Sequence, residues 1–544
     1  MNLDSLITVV SLLVAVYAVV PRVRKLEFRL KFDLFGWLVV LAALGLILYL
    51  QFYQTFRAIG FTPSLNLARW NLTTSNVSFL VLAFSASVMV SYLSLQGLSR
   101  SRIYRFREFV SELGREKRYA ELFSLVERNL PSLARIYHAD FALSRAREFF
   151  EKRSNPYSIF LSLPESHELP KRRCARLDSL KMSIFGLMKG AFPAYQREKD
   201  AAGEVLHEIL LNARTVKGMI EARPYCALQF YGWDFYEFQE FFERYLDSLI
   251  RDSGSVLYHE IRHNQNLSHG HAYHLPDRNR LLAFLFQDCS IAEKLAPYKP
   301  IGDAVIAELD ARFESELPDS HNGPMRNFDE EGKWDSRIFV GIRFFDIMVM
   351  SALYQGICWH MWLYYFPTFA ERIVRNLQPD SKHVDPLSEW PTQYHFFLYE
   401  IVSTLCNWIA EVEYIPLDQA NIVLESTSAT HENGNIPKSA MLALGRVFKE
   451  VHTSDAVDDR FRIYLTEVVF RRYFDLHVRN DFRLYSEALL NALRNGGYSM
   501  SRASMEYSAS LLDSFNRIDL IPFDSDACAD VRAMLEQDVE SAGA

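Results

Sequence analysis

The stretch LFGWLVVLAALGLILYLQFY, residues 34–53, decides the fold of the N-terminal part of the chain. It runs for twenty residues without a charged side chain. A helix of about twenty apolar residues is long enough to cross the hydrocarbon core of a bilayer. A helix also satisfies its own backbone hydrogen bonds, which a lipid environment requires. The stretch therefore predicts a transmembrane helix.

Two further apolar segments lie on either side of it. LITVVSLLVAVYAVV (6–20) is fifteen residues long and reaches across a bilayer only with the residues before it, so we predict a span over about 3–20. VSFLVLAFSASVMVSYLSL (77–95) has nineteen uncharged residues and predicts another span. Residues 1–97 are thus expected to hold three transmembrane helices, or two if the first segment is too short.

Small residues recur along the last of these segments. Ala83, Ser87 and Ser91 are four residues apart, which places them on one face of a helix. Small side chains let a neighbouring helix approach closely in a membrane. They predict a packing face and a homo-oligomer formed through the transmembrane helices, the alternative being polar positions that the lipid tolerates.

Basic residues set the predicted orientation. They flank the second and third segments on one side of the membrane: Arg22, Arg24, Lys25, Arg29 and Lys31 before, and Arg100, Arg102, Arg105 and Arg107 after. The intervening loop, 54–76, carries only Arg57 and Arg69. Positively charged loops remain in the cytoplasm. This pattern predicts a multi-pass protein of the cell membrane whose C-terminal region is cytoplasmic.

The charge of the chain is divided unevenly along its length. The formal net charge of −8 combines about +4 over residues 1–97, about +8 over 98–200 and about −20 over 201–544. A basic segment beside the membrane suits anionic headgroups, and an acidic distal body argues against a general nucleic-acid binder. The six cysteines form no CxxC pair, which is typical of a reducing compartment.

The remaining chain is predicted to be mostly α-helical. YAELFSLVERNLPSLARIY (119–137) and DFYEFQEFFERYLDSLIRD (234–252) place apolar residues three and four apart. Turn-forming, charged stretches occur at 168–178, 317–336 and 425–439. From them we predict a transmembrane region (1–97), a basic juxtamembrane helical segment (98–200), a middle helical unit (201–325) and a C-terminal helical unit (326–544).

One segment of the C-terminal unit is apolar enough to cross a membrane. IMVMSALYQGICWHMWLYYF (347–366) is twenty residues long, and Gln355 and His360 are its strongly polar members. A buried core helix is the favoured interpretation, because a fourth span would place the C-terminal unit outside the cell. The alternative is a segment that inserts into the membrane on activation.

Five of the fifteen histidines lie in YHEIRHNQNLSHGHAYH, residues 258–274. Its first half has the HExxH spacing of a zinc hydrolase, with His259 and His263 on one helix face and Glu260 as the general base. Arg262 would place a cation beside the metal, and NQN (264–266) is a poor helix former.

We therefore expect a short helix followed by a polar loop, with no cofactor. Two alternatives remain open. One is a non-catalytic zinc site or a pH-sensitive site that draws on His259, His263, His269 and His271. The other is a membrane-anchored zinc hydrolase that uses Glu260.

Several common catalytic motifs do not occur in the sequence, including GxxxxGK[ST], GxGxxG after a strand and GxSxG. The sequence favours a non-enzymatic role. Short N-terminal spans, a cytosolic helical body over 98–544 and no recognisable active site together resemble the membrane effectors of bacterial anti-phage systems, such as those paired with retron reverse transcriptases. SVLYHEIRHNQNL (255–267) is also similar to segments of bacterial membrane proteins.

The resemblance implies a bacterial inner-membrane effector or sensor of abortive infection. Its cytosolic body would bind a protein or ribonucleoprotein partner, and its helices would perturb the lipid bilayer. A scaffold or accessory subunit of a membrane complex is the remaining alternative, since three thin spans without intramembrane charges do not form a transport path alone.

Overall fold

The computed structural model describes most of the chain. It covers residues 11, 18–32, 34–60, 74–95, 97–154, 183–189, 191–192, 194–266, 268–269, 272–357, 364–378, 388–414, 435–497, 503–519 and 525–543. These residues divide into two compact units, Met1–Phe238 and Gln239–Ala544. The division falls inside the predicted middle unit, 201–325, and the finer four-part division stays a prediction.

The first unit consists of helices. They are α1 (Arg22–Lys31), α2 (Leu34–Gln51), α3 (Tyr53–Ala58), α4 (Thr74–Leu95), α5 (Ile103–Arg115), α6 (Tyr119–Tyr137), α7 (Ala142–Ser154), α8 (Gln196–Leu210) and α9 (Ala213–Ala222), with 3-10 turns at Arg100–Arg102 and Pro224–Trp233. Helices α5, α6 and α8 pack on one another, and α1 packs on α5 and α6.

The core of the first unit follows from helical spacing. Ile103, Phe106, Val110 and Leu113 of α5 are three or four residues apart, and all four are buried. They meet the equivalent buried stripes of α6 and α8. Each buried side chain of this size contributes about 1.5 to 3 kcal/mol relative to exposure. Burial of these stripes therefore holds the three helices together.

Over its described residues the second unit is also helical, apart from one small hairpin. Its helices are α10 (Phe238–Arg251), α11 (Val256–His263), α12 (Arg280–Phe286), α13 (Cys289–Leu295), α14 (Tyr298–Glu314), α15 (Arg337–Tyr354), α16 (Tyr365–Asn376), α17 (Gln393–Ala410), α18 (Ile436–Thr453), α19 (Asp459–His477), α20 (Arg483–Arg494), α21 (Met505–Arg517) and α22 (Ser525–Gly543).

Short elements join these helices. The 3-10 turns are Asn264–Asn266, Ser320–Asn322, Gly332–Asp335, Glu411–Tyr414 and Asn480–Phe482. Strands β1 (Ser268–His269) and β2 (Ala272–Tyr273) pair antiparallel, with Ser268 opposite Tyr273 and His269 opposite Ala272.

The helices of the second unit pack in succession. Helix α15 packs on α14 and α17, α16 packs on α14 and α18, and α19 packs on α17, α20 and α21. At the crossing of α18 and α20, a Cβ on Gly445 would lie 2.2 Å from the carbonyl oxygen of Ala492. Only glycine lets these two backbones approach so closely.

Polar side chains begin many of the helices by accepting a hydrogen bond from a first-turn backbone N–H. These N-cap residues are Asn212, Asp288, Thr392, Asn435, Asp458 and Ser504.

The prediction of a mostly α-helical chain is confirmed. Helix α6 has the predicted bounds 119–137, and α10 begins later than the predicted 234 because Asp234 adopts a left-handed conformation, φ 50°. The predicted spans 34–53 and 77–95 are helical as α2 and α4 over the residues described. The predicted span 3–20 lies largely outside the described residues.

The apolar segment 347–366 begins as a buried core helix. Residues 347–353 of α15 are all buried within the second unit, which agrees with the favoured interpretation. Residues 358–363 lie outside the described residues, and insertion of the segment on activation stays a prediction.

Candidate functional site

Helices α2 and α4 form an antiparallel hairpin. Phe35, at the start of α2, contacts Tyr92, near the end of α4, with their ring centroids 4.8 Å apart. Further along, a groove of about 520 Å³ lies between the two helices and is lined in part by Ala42, Ala43 and Ser85. Small side chains thus occur where the two helices approach each other.

In the part of the hairpin that the structure describes, the outer surface is apolar and exposed. Trp37 is 56% exposed and Phe84 is 71% exposed. Other large apolar side chains of α2 and α4 are exposed as well: Phe35, Leu38, Val40, Leu41, Leu44, Leu46, Leu48, Phe79, Leu80 and Val90. Soluble proteins rarely leave so large a contiguous apolar surface in water. This surface is suited to contact with lipid.

The length and apolar composition of one hairpin helix, α4, agree with contact with lipid. Among the residues that the structure describes, the helix Asn76–Leu93 is long and apolar enough to cross a membrane, with 6% of it buried. A second membrane span is found if two further helices are treated as one bent span. These helices are Arg22–Lys31 and Phe35–Leu50, and their axes differ in direction by 92°. The predicted total of two or three spans stays a prediction.

Aromatic side chains lie at both ends of the hairpin. Phe32, Phe35, Trp37 and Tyr92 lie at one end, and at the other the ring of Tyr49 contacts those of Tyr53 and Phe56. From Trp37 to Tyr53 the helical rise gives about 24 Å. Aromatic residues are enriched where membrane helices meet the two interfaces, and this separation is similar to the thickness of the hydrocarbon core.

Helix α1 connects the hairpin to the rest of the first unit. Its axis is bent by 92° from that of Phe35–Leu50. Leu26, Glu27 and Leu30 form its buried face, which packs on α5 and α6. The Glu27 carboxylate accepts hydrogen bonds from Arg128 of α6 at 2.9 Å and from Arg24 at 3.3 Å. A buried carboxylate is costly unless it is paired, so this pairing fixes α1 against α6.

Two predicted topology-setting arginines reinforce this connection. Arg22 donates to Glu112 of α5 at 3.3 Å and to Glu116 at 3.2 Å. Arg102 donates to the carbonyl oxygen of Leu30 in the last turn of α1. A cation near the C-terminal end of a helix is favourable because the helix dipole is negative there. Both residues therefore join α1 to the segment that follows the hairpin.

The other predicted basic residues differ in their surroundings. Arg24 and Arg105 are exposed, and Lys25 donates to the carbonyl oxygen of Ala18 at 3.2 Å. The Arg100 guanidinium lies over the rings of Phe141 and Tyr195, 4.5 and 4.1 Å from their centroids.

The predicted packing face of α4 points away from α2. Ala83, Ser87 and Ser91 are all exposed, whereas Ser85 lines the groove shared with α2. The exposed face is thus accessible to a further helix, and its use in a homo-oligomer stays a prediction.

Glu260 of the histidine-rich segment is buried and accepts hydrogen bonds at the N-terminus of helix α12. Only 4% of the residue is exposed, and its two carboxylate oxygens accept from the backbone N–H of Leu281 at 3.1 Å and of Leu282 at 2.9 Å. These are first-turn amides of α12, and a carboxylate at a helix N-terminus is favourable. The geometry gives Glu260 a structural role in joining α11 to α12.

The neighbouring histidines are more exposed than that carboxylate. His259 is exposed and His263 is half-buried at the end of α11, where the helix ends before Asn264 as NQN predicts. His269 is in β1, and His271 lies outside the described residues. Over the part of the chain that the structure describes, no group of three His, Cys, Asp or Glu residues could hold a metal ion. Zinc binding stays a prediction.

A buried polar network in the second unit had no signal in the sequence. The Asp346 carboxylate of α15 accepts from Tyr273 at 2.5 Å, from Arg343 at 2.8 Å and from the Trp408 indole at 3.0 Å. Burial and the Asp346 carboxylate raise the pKa of the Tyr273 hydroxyl. This network holds the β1–β2 hairpin, and with it the histidine-rich segment, against α15 and α17.

A half-buried carboxyl group lies near this network. Burial raises the pKa of Glu400, while the nearby cations of Arg343 and Lys333 oppose the rise. The Lys333 ammonium lies over the rings of Trp334, Phe339 and Phe396. The cluster fills space between packed helices and contributes to their cohesion.

The chain was compared with protein-family models, with curated proteins and with solved structures, and none of them matches it.

Proposed function

We propose that this chain is an integral protein of the bacterial inner membrane in which the α2–α4 hairpin lies in the bilayer. The supporting observation is the exposed apolar surface of the hairpin, bounded by aromatic side chains at both ends. Transfer of that surface from water into lipid is favourable by a free energy of about 25 cal/mol per Å² of apolar area. The basic residues around α1 and α5 support a cytoplasmic location for the helical body, because positively charged loops remain on that side.

The helical body binds a protein or ribonucleoprotein partner, and the hairpin acts on the membrane. Helix α1 lies between the two, because its buried face pairs with α5 and α6 and its C-terminal end leads into α2. A partner that shifts α5 or α6 would move α1 and change the packing of the hairpin. The output is perturbation of the bilayer in anti-phage defence by abortive infection, with oligomers formed through Ala83, Ser87 and Ser91.

Membrane insertion is tested by placing a charge on the hairpin. Leu44→Lys puts an ammonium group at the middle of α2, where a lysine costs about 3 kcal/mol in a transmembrane helix. We expect this variant to be extracted from membranes by alkaline carbonate, whereas the wild type resists extraction. Leu143→Lys is the matched control, since Leu143 is an exposed leucine on α7 of the same unit. Carbonate extraction of the wild type would overturn the proposal.

The effector role is tested by membrane potential. Cells that express the full chain and are infected with phage should depolarise, as reported by a potential-sensitive dye. Arg128→Ala, which removes the partner of Glu27, should weaken this response while leaving the protein in the membrane. Depolarisation by neither chain would favour an accessory subunit over an effector.

A further inference from the structure

The outward face of α1 combines aromatic and basic side chains. Arg24, Phe28 and Arg29 are exposed, while Leu26, Glu27 and Leu30 face the protein. On a helix with 100° per residue, positions 24, 28 and 32 fall on one side and positions 26, 27 and 30 on the other. The single carboxylate of α1 thus points inward, and its outer face carries cations on either side of an aromatic stripe.

The aromatic stripe continues into the hairpin. The rings of Phe28 and Phe32 stack with centroids 4.9 Å apart, and Phe32 meets Trp37 edge to face at 5.2 Å. Trp37 belongs to the exposed apolar surface of α2. The outer face of α1 is therefore continuous with the surface that we place in lipid, at the end where the aromatic side chains gather.

The direction of α1 suits a helix lying in the membrane plane. Its 92° bend from Phe35–Leu50 means that, if α2 runs along the membrane normal, α1 runs along the surface. Amphipathic helices in this position bury an apolar stripe at the level of the headgroups and direct lysine and arginine towards anionic lipids.

We propose that α1 is an interfacial helix whose outer face binds anionic phospholipid headgroups of the cytoplasmic leaflet. Phe28 and Phe32 enter the headgroup region, Arg29 and Lys31 contact lipid phosphates, and Arg24 and Lys25, which donate to Glu27 and to the Ala18 carbonyl, add positive charge to the same face. The charge of this face is complementary to such lipids and opposite to the inward carboxylate of Glu27. This inference rests on the proposed membrane insertion of the hairpin.

The experiment uses the full chain in vesicles of equimolar phosphatidylcholine and phosphatidylglycerol with identical acyl chains. Phe28, Leu44 and Tyr236 are replaced, one at a time, by the photo-crosslinking amino acid p-benzoylphenylalanine. Lipid adducts are identified by intact-mass spectrometry. Because the acyl chains are the same, the ratio of the two adducts reports headgroup preference. Tyr236, 91% exposed in the same unit, is the control for non-specific contact.

We expect lipid adducts at positions 28 and 44 and few at 236. At position 28, phosphatidylglycerol should exceed phosphatidylcholine by about fivefold or more, which corresponds to one well-placed cation near an anionic surface. The double variant Arg29→Gln, Lys31→Gln, which leaves the Arg24–Glu27 pair in place, should bring the ratio towards one without reducing adducts at position 44. The matched control Arg214→Gln, Lys217→Gln neutralises two exposed cations of α9 and should leave the ratio unchanged.

Three outcomes would overturn the inference. Adducts at position 44 with none at 28 would show that α1 is away from the interface while the hairpin is inserted. Equal amounts of the two lipids at position 28 would remove the role of the cations. Adducts at 236 as abundant as those at 28 would mark the contact as non-specific. Absence of adducts at both 28 and 44 would instead reject membrane insertion itself.

Discussion

Helices α4 and α15 are both long and apolar, yet they occupy opposite surroundings. Fifteen of the eighteen residues of α15 are buried by other helices of its unit. Only 6% of Asn76–Leu93 is buried. The difference lies in the polar residues that each helix carries: α15 contains Arg343 and Asp346, which pair with each other and with neighbouring side chains, whereas α4 has no charged residue. Apolar composition alone does not distinguish a protein core from a membrane span; a charge pair with neighbours to satisfy it indicates a core.

Replacing Asp346, the buried carboxylate of α15, should have the largest effect on the free energy of unfolding. In Asp346→Ala, the half-buried Arg343 loses its carboxylate partner, and the Tyr273 and Trp408 donors lose their acceptor. We expect a loss of about 3 to 5 kcal/mol in the free energy of unfolding. Urea unfolding of the detergent-solubilised full chain, followed by tryptophan fluorescence, measures it. Asp346→Asn keeps one acceptor and should lose less, and a loss below about 1 kcal/mol in Asp346→Ala would contradict the prediction.

A pair of phenylalanine truncations tests the comparison directly. Phe345 of α15 is fully buried, and Phe84 of α4 is 71% exposed. Phe345→Ala should cost about 3 to 5 kcal/mol because it leaves a cavity, while Phe84→Ala should stay within about 0.5 kcal/mol in detergent. The same urea titration reports both variants. Equal losses in the two variants would mean that α4 is covered by protein after all.

Acid should weaken the body and leave the hairpin unaffected. Burial, with a smaller contribution from Arg462, lowers the pKa of His452 to about 3. Between about pH 6.5 and pH 3 the unfolded chain then binds more protons than the folded one, so the free energy of unfolding falls as the pH decreases. This contribution should be about 2 kcal/mol smaller at pH 5 than at pH 8.

The measurement is urea unfolding of the wild type and of His452→Gln at the two pH values. His452 Nδ1 lies 3.0 Å from the Ser510 hydroxyl oxygen, which a glutamine amide can also reach, and the variant should lose that part of the pH dependence. The segments Leu34–Gln51 and Thr74–Leu95 contain no acidic, basic or histidine residue, so their helicity should not change. An unchanged pH dependence in His452→Gln would assign the effect to other groups.

The smallest effect is expected at the histidine-rich segment. Glu260→Ala removes the acceptor of the Leu281 and Leu282 amides and should cost about 1 to 2 kcal/mol. Glu260→Gln retains one acceptor and should cost less, whereas His259→Ala, at an exposed position, should be neutral. Zinc content of the purified wild type is measured alongside. Stoichiometric zinc that Glu260→Ala abolishes would contradict the purely structural role of Glu260.

Periodicity predicted much of the fold, because it depends on near neighbours in sequence. The bounds of α6 follow from its apolar spacing, and the end of α11 is consistent with the two asparagines, Asn264 and Asn266, that follow His263. The burial of Glu27 could not be predicted in this way. In RKLEFRLK it reads as one more charged residue on a surface helix, and its partner Arg128 lies 101 residues later. Glu260 likewise reads as a catalytic base until α12 supplies the amides that it accepts from.

Arg128 follows Glu27 by 101 positions, and this separation sets the order in which the two residues are synthesised. Ribosomes add about 5 to 20 residues per second, so Glu27 emerges about 5 to 20 s before its partner. If the hairpin inserts as proposed, its two helices are made within that interval and enter the bilayer first. In that case α1 would rest at the headgroups with a hydrated carboxylate until α5 and α6 are complete, and the helical body would then fold onto a helix that the membrane already holds.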